Sequence, residues 1–277
     1  MELIHPSAIV HPSAVVSEGA RIGAGVEIGP FSVIGPQVIL GDGCRLSSHV
    51  VVSGKTTIGK ENAIFQFASI GAEPQDLKYR NEPSELLIGD NNTIREYVTL
   101  QPGTEGGGMV TSIGSGNLFM ACSHVGHDAH LGNRNIVANS AAISGHVQIG
   151  DFVTVGGLVG IHQFVRVGDF AFVGAGAMVN QDIPPYCLAQ GDRAQLYGIN
   201  IIGLRRKEFS QPTIRALKET YRGLFFGSGK MKERIQQLRT QGGDFESPHV
   251  EKFLKFVEQS ERGIASASKI DDAGTSQ

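Results

Sequence analysis

The sequence predicts a chain built mainly as a parallel β-helix and closed by a small α-helical domain. Three observations carry this reading. A branched aliphatic recurs at every sixth position from Ile4 to Val179, with two interruptions. Glycine is abundant, 37 of 277 residues, while Cys numbers only 3 and Trp is absent. Beyond Pro185 the six-residue period stops and apolar residues fall at helical spacing.

The aliphatic column begins Ile4, Val10, Val16, Ile22, Ile28, Ile34, Leu40, Leu46, Val52, Ile58, Ile64, Ile70. It resumes as Ile88, Ile94 and Leu100, and then runs from Ile113 through Phe119 and Val125 to Val179. Of these 27 hexads only the one at Phe119 lacks Ile, Leu or Val. A helix repeats every 3.6 residues, so a strict period of six excludes amphipathic helices here. Six residues supply one short strand and one turn, with the aliphatic pointing inward. A second column, four residues on, is mostly small: Ala8, Ala14, Ala20, Ser32, Cys44, Ser123, Ala129, Ala141. Gly often follows the aliphatic, as at Gly23, Gly29, Gly132 and Gly150, and is expected to permit turn geometry. Three hexads close one coil of 18 residues, so nine coils are expected, stacked at about 4.8 Å.

The interruptions are insertions. Twelve extra residues follow Ile70 and include Gln75-Asp76-Leu77-Lys78-Tyr79-Arg80. Seven extra residues follow Leu100 and include Gly106-Gly107-Gly108. Loops on a rigid scaffold are favoured places for function. After Asp182-Ile183-Pro184-Pro185, Ser210 and Pro212 open a helix with Ile214, Leu217, Tyr221, Leu224 and Phe225 on one face. A second helix is expected over Met231–Leu238. A third follows Ser247-Pro248, with Val250, Phe253, Leu254 and Val257. The expected division is 1–189 as β-helix, 190–263 as helical domain and 264–277 as a disordered tail.

Composition excludes several classes. Lys plus Arg is 24 and Asp plus Glu is 27, for a formal charge of −3, which argues against a nucleic-acid binder. Three Cys cannot form a disulfide framework, and a reducing, cytoplasmic setting is expected. No apolar run reaches transmembrane length, and Met1–Pro6 lacks the features of a signal peptide.

Five of the nine His lie between 124 and 162. Residues 18 apart stack, so His127 projects onto Gly145 and then Gln163, with His146 and His162 one position away. His127, His146 and His162 are therefore expected along one edge, while His130 faces elsewhere. Metal binding, general-base catalysis and plain surface His all remain open on the residues alone. The spacings of 3, 3, 16 and 16 contain no His-x4-His pair, which disfavours a metal centre. A neutral imidazole suits deprotonation of an alcohol near neutral pH. A carboxylate such as Asp128 would orient it if the two side chains met. No nucleophile elbow or P-loop is present, so direct transfer fits better than a covalent enzyme.

Ser123-His124-Val125-Gly126-His127-Asp128, Ser144-Gly145-His146-Val147, Ile161-His162-Gln163-Phe164 and Gln75-Asp76-Leu77-Lys78-Tyr79 resemble the hexapeptide-repeat acyltransferases that acylate UDP-N-acetylglucosamine. So do Asp182-Ile183-Pro184-Pro185-Tyr186, Gly198-Ile199-Asn200 and Gly203-Leu204-Arg205-Arg206. The resemblance spans nearly the whole chain. The related N-acyltransferases carry an extra N-terminal domain, which is not expected here because hexads begin at Ile4.

The resemblance implies an all-β left-handed parallel β-helix. It implies transfer of a (3-hydroxy)acyl chain from acyl carrier protein to the glucosamine 3-hydroxyl of UDP-N-acetylglucosamine, the first step of lipid A synthesis. His127 would be the base, Asp128 its partner, and the Gly145 N–H the oxyanion donor. His124, His146, His162, Gln163, Gln75, Asp76 and Lys78 would line the sugar, diphosphate and acyl site. Asn200 and Arg206 would reach the nucleotide. No cofactor is held permanently, since the donor rides on the carrier's phosphopantetheine. The family is homotrimeric, with sites between subunits. Arg205, Lys207, Arg215, Lys218 and Arg222 are expected to dock the acidic carrier. Three departures bear on specificity: Ile202 stands where Glu is common, and Gln101 where His is frequent. Ala175 stands where long-chain members carry Gly, which implies a somewhat shorter acyl chain. A coenzyme A-dependent acetyltransferase and a non-catalytic β-helix would share the fold.

Overall fold

A computed structural model describes residues 3–241 and 247–268. Two-residue strands ending on the aliphatic column make three parallel faces. Face 1 starts at Ile9–Val10, face 2 at Val15–Val16 and face 3 at Arg21–Ile22. Face 2 holds nine strands, in keeping with nine coils. Register follows the expected period, as in Ile136↔Thr154 and Thr154↔Phe172. From Arg21–Ile22 to Met178–Val179, the second residue of each two-residue strand is buried, and Ile34, Val52, Ile70, Val125 and Ile143 are fully enclosed. Each such side chain contributes about 1.5–3 kcal/mol by leaving water.

The glycine expectation needs correction. Gly29, Gly41 and Gly132 do not have positive φ. They are small because the next coil is close: a Cβ on Gly41 would lie 2.6 Å from the Gly59 carbonyl carbon. The left-handed residue of each turn comes three after the aliphatic and is often not Gly. Phe31, His49, Asn91, Asp128, His146 and Phe164 all occupy it, with φ between 57° and 66°.

Both insertions leave face 2 and return on face 3, where the receiving strands lengthen to four residues, Glu85–Ile88 and Val110–Ile113. Register therefore steps by 30 and then 25, as in Ser69↔Thr99 and Thr99↔His124. The two loops thus project from the same corner, between faces 2 and 3, directly before the coil that carries His127.

Beyond the coils, strands Cys187–Gln190 and Gln195–Ile199 pair antiparallel and extend face 1. The hexad reading did not anticipate this hairpin, and the boundary drawn at 189 falls inside its first strand. Four α-helices follow among the described residues: α1 (Ile201–Arg206), α2 (Gln211–Phe226), α3 (Met231–Arg239) and α4 (Pro248–Glu258). The side chains of Ser210 and Ser247 cap α2 and α4 as the sequence predicts. Ile214, Leu217, Leu224, Val250, Phe253 and Leu254 are buried. Helix α1 is an addition to the expected set.

The tail is not disordered where it is described. Ile264 bridges to Asp182, Ala267 bridges to Leu196, and Ala265 is buried. The segment is tied on by these isolated bridges and by the Ala265 and Ser268 N–H groups, which donate to the Asp182 and Leu196 carbonyls. The rest of the expected tail, 269–277, lies outside the described residues. Among the described residues no helix is long and apolar enough to cross a membrane.

Candidate active site

The corner between faces 2 and 3 gathers the site. His127 follows strand His124–Val125, and its ring is buried against Gly145 of the next coil. A Cβ on Gly145 would lie 2.6 Å from His127 Nε2, so the glycine makes room for the imidazole. His127 Nδ1 is 2.8 Å from Asp128 Oδ2, and both residues are buried. A carboxylate only accepts, so in this contact Nδ1 is the donor, and the neutral imidazole in that tautomer keeps its lone pair on Nε2.

The second insertion encloses that carboxylate. Thr104 donates its backbone N–H to Asp128 Oδ1 at 2.8 Å and its hydroxyl to Oδ2 at 2.6 Å. The Asp128 N–H donates to Thr111 Oγ1 at 2.7 Å. Gly107 packs so closely that a Cβ there would sit 2.0 Å from Asp128 Cγ. The first insertion brings Asp76 Oδ2 to 4.0 Å from His127 Nε2. Gln101, buried, accepts the Gln75 N–H through Oε1 at 3.2 Å and so holds this loop.

The other His residues surround this pair. His146 meets His127 edge-on, with centroids 5.0 Å apart, and stacks on Phe164 at 4.4 Å. His124 Nδ1 lies 2.7 Å from Thr99 Oγ1. Burial lowers the pKa of both His124 and His146 below the usual imidazole range, and the nearby His127 adds to this. Both are therefore neutral at neutral pH. His162 Nδ1 accepts from the Arg262 guanidinium at 2.8 Å. His130 points away on face 3, bonded to Ser112, as expected.

Atoms of His127, Asp128 and His146 able to bind a metal lie within 4.8 Å of one another. Both Asp128 oxygens are already engaged by Thr104 and His127, which favours a hydrogen-bonded dyad over a metal centre. Among the described residues the Gly145 N–H donates to no protein acceptor. The matching N–H on the corner between faces 3 and 1 is capped by a side chain one coil on, as when Asp151 accepts from Asn133. Gln163 holds the equivalent place above Gly145.

Other expected residues lie elsewhere on the same chain. Gln75 and Lys78 are exposed on the first loop. Gln163 is exposed at the His127 corner. Asn200 caps α1, accepting from Gly203, and donates to the Phe170 carbonyl on the corner between faces 3 and 1. Arg206 is exposed at the end of that helix. Ala175 is exposed on the third corner. Arg205 and Lys207 are exposed, and Arg215, Lys218 and Arg222 share one exposed face of α2. Ile202 is 67% exposed.

Sequence reasoning missed Thr104, Thr111 and Arg262. Thr104 stands just before Gly106-Gly107-Gly108, and that small-residue cluster was the available signal. Arg262 reaches His162 only because the chain doubles back after α4.

The hexapeptide coils, with a buried His–Asp pair at one corner, fit a hexapeptide-repeat acyltransferase. Residues 3–36 and 19–54 match the family of bacterial transferase hexapeptides, and 182–265 match domain 2 of UDP-N-acetylglucosamine O-acyltransferase. The chain is 49% identical over 212 residues to the acyl-[acyl-carrier-protein]–UDP-N-acetylglucosamine O-acyltransferase of Myxococcus xanthus, covering 76% of this chain and 81% of that one. LpxA from Acinetobacter baumannii aligns with a TM-score of 0.84 and 44% identity, over 95% of this chain and all of that one. UDP-N-acetylglucosamine acyltransferase from Campylobacter jejuni gives 0.88 and 37%, over 94% and 100%. The chain belongs to the family of acyl-[acyl-carrier-protein]–UDP-N-acetylglucosamine O-acyltransferases, and it is an acyltransferase.

Proposed function

We propose that this enzyme moves a 3-hydroxyacyl chain from acyl carrier protein to the glucosamine 3-hydroxyl of UDP-N-acetylglucosamine in the cytoplasm, opening lipid A synthesis. His127 Nε2 takes the hydroxyl proton as the oxygen attacks the thioester carbon. The oxyanion accepts the Gly145 N–H. Collapse breaks the C–S bond, and the departing thiolate takes the proton back from His127. The observation that carries this reading is the buried 2.8 Å contact between His127 Nδ1 and Asp128, which leaves Nε2 free to act as a base.

Gln75, Asp76, Lys78, His124 and His146 are read as contacts to the sugar and acyl hydroxyl. His162 and Gln163 are read as flanking the diphosphate and acyl entrance. Asn200 and Arg206 sit on a different corner from His127, so a site using all of them takes two subunits. A homotrimer supplies such pairs. Ala175 is read as the acyl-pocket floor, and Arg205, Lys207, Arg215, Lys218 and Arg222 as the carrier dock.

Single-turnover transfer from 3-hydroxyacyl carrier protein tests this with wild type and His127→Ala. The substitution is expected to cost at least about 10²-fold. Activity that survives it overturns the base assignment. Turnover of acetyl-coenzyme A without carrier would instead favour the acetyltransferase reading, and wild-type inactivity would point to an amino-sugar acceptor.

A further inference from the structure

The second insertion is tied to the first, with the Glu105 N–H donating to Glu82 Oε1 and the Gly103 N–H to the Glu85 carbonyl. Its inner residues converge on one group, the Asp128 carboxylate. Thr104 is 4% exposed and Asp128 2%. Thr104 gives that carboxylate two hydrogen bonds, one to each oxygen. Gly103 and Gly107 press against the same carboxylate: a Cβ on Gly103 would be 2.8 Å from Oδ1, and one on Gly107 2.0 Å from Cγ. The glycines let the loop close over Asp128, and Thr104 is the only side chain in 102–109 that bonds to it.

We propose that Thr104 is a positioning residue for the transfer reaction: it locks Asp128 in the rotamer that orients His127, and it shares the negative charge at Oδ2. The proposal rests on the reading of His127 as the base. Oδ2 accepts from both the Thr104 hydroxyl and His127 Nδ1. Two donors fix this oxygen in direction, so the imidazole cannot swing without breaking a buried bond. Thr104 touches neither the reacting hydroxyl nor the thioester and acts through Asp128.

Removing the hydroxyl also has an electrostatic consequence. A carboxylate with one fewer donor raises the proton affinity of the His127–Asp128 pair, wherever in the pair the proton settles. The pair then takes up its extra proton at higher pH, and the acid limb of the rate profile moves up. The other groups facing His127 are Asp76 at 4.0 Å from Nε2, His146 at 5.0 Å between ring centroids, and His124, whose titration senses His127. None of these contacts Thr104, so they are common to wild type and variant.

The experiment compares the full-length Thr104→Val, Thr104→Ala and Thr104→Ser enzymes with wild type in steady-state transfer across pH. Thr104→Val and Thr104→Ala keep the backbone N–H and lose the hydroxyl. Each is expected to lower kcat about tenfold or more, because the imidazole loses its orientation. KM for both substrates is expected to stay within about twofold, since the contact lies outside the substrate site. The acid limb of kcat/KM is expected to rise by about one pH unit, the worth of one hydrogen bond to a charged group. Thr104→Ser is expected to restore both kcat and the limb. If Thr104→Val fails to fold, Thr104→Ala deletes the same hydroxyl without added bulk.

Adding Thr104→Val to His127→Ala is expected to cost nothing further, because the residue acts only through the imidazole. Wild-type kcat with an unmoved limb in both hydroxyl-deleted variants overturns the proposal. So does equal impairment of all three variants with an unmoved limb, which would mark Thr104 as merely structural. Activity retained in His127→Ala would sink the base reading itself. A slow His127→Ala beside a wild-type Thr104→Val would sink only the role of Thr104.

Discussion

Two corners of the same prism treat identical backbone in opposite ways. Between faces 3 and 1, most turn N–H groups of the described residues are capped from the coil above: Ala24 by Asp42, Lys60 by Asp90, Asn133 by Asp151 and Asp151 by Asp169. Just inside it, Asn62, Asn92, Asn117 and Asn135 pass hydrogen bonds up the axis. Between faces 2 and 3, the equivalent places in the later coils hold His127, Gly145 and Gln163, and among the described residues nothing caps the N–H of Gly145. Polar demand is met internally at one corner and left open at the other, where the proposed mechanism uses it. The hexad builds both, so on the proposed reading the site comes from withholding a cap rather than from adding a motif.

The sharpest way to break this contrast is to fill the space at each corner. Gly145→Ala drives a Cβ into the His127 ring, at 2.6 Å from Nε2. The expected cost is at least about 10²-fold in kcat, because the base leaves its attack position. Asp151→Ala removes the acceptor for the Asn133 N–H and Nδ2. It should leave kcat unchanged and cost about 0.5–1.5 kcal/mol in a denaturant titration. Loss of activity without loss of stability in the Asp151 variant would erase the distinction between corners.

A finer comparison lies within the second insertion. Nothing stands within 4 Å of a Cβ built on Gly106, whereas one on Gly107 meets Asp128. Gly106→Ala is expected to be silent. Gly107→Ala should displace the carboxylate and lower kcat by about tenfold or more, as Thr104→Val does. Equal activity in the two variants would mean that the loop does not clamp Asp128.

The smallest effect concerns acid. His124 and His146 have pKa values lowered by burial, so the unfolded chain binds more protons than the native one just below the usual imidazole value. Native stability should therefore fall as pH drops through about 6.5 and continue falling to the lower folded values. Replacing both with Gln should flatten that slope. An unchanged slope of denaturation midpoint against pH would show that these two residues do not contribute.

The coils were legible because a six-residue period is a local rule: each aliphatic must face the axis, whatever its neighbours do. The same holds for α2 and α4, whose Ser caps and apolar faces are written within a single turn or two. The stacking of His127 beneath Gly145 and beside His146 followed from counting 18 residues per coil. What counting could not reach was contact made by inserted or returning chain. The meeting of Asp128 with Thr104, the bracing of the first loop by Gln101, and the reach of Arg262 to His162 all depend on loops outside the period. The hairpin at 187–199 and the docked segment 264–268 arise because the last coil needs a covered edge, a demand made by the finished sheet. Even the glycines were misread for this reason: their smallness answers to the coil above, 18 residues away, and not to the turn in which they stand. Period and composition determined the scaffold and the edge on which the His residues gather. Tertiary closure decided how His127 is oriented, because the Asp128 carboxylate that meets it is held by Thr104, 24 residues away on an insertion outside the repeat.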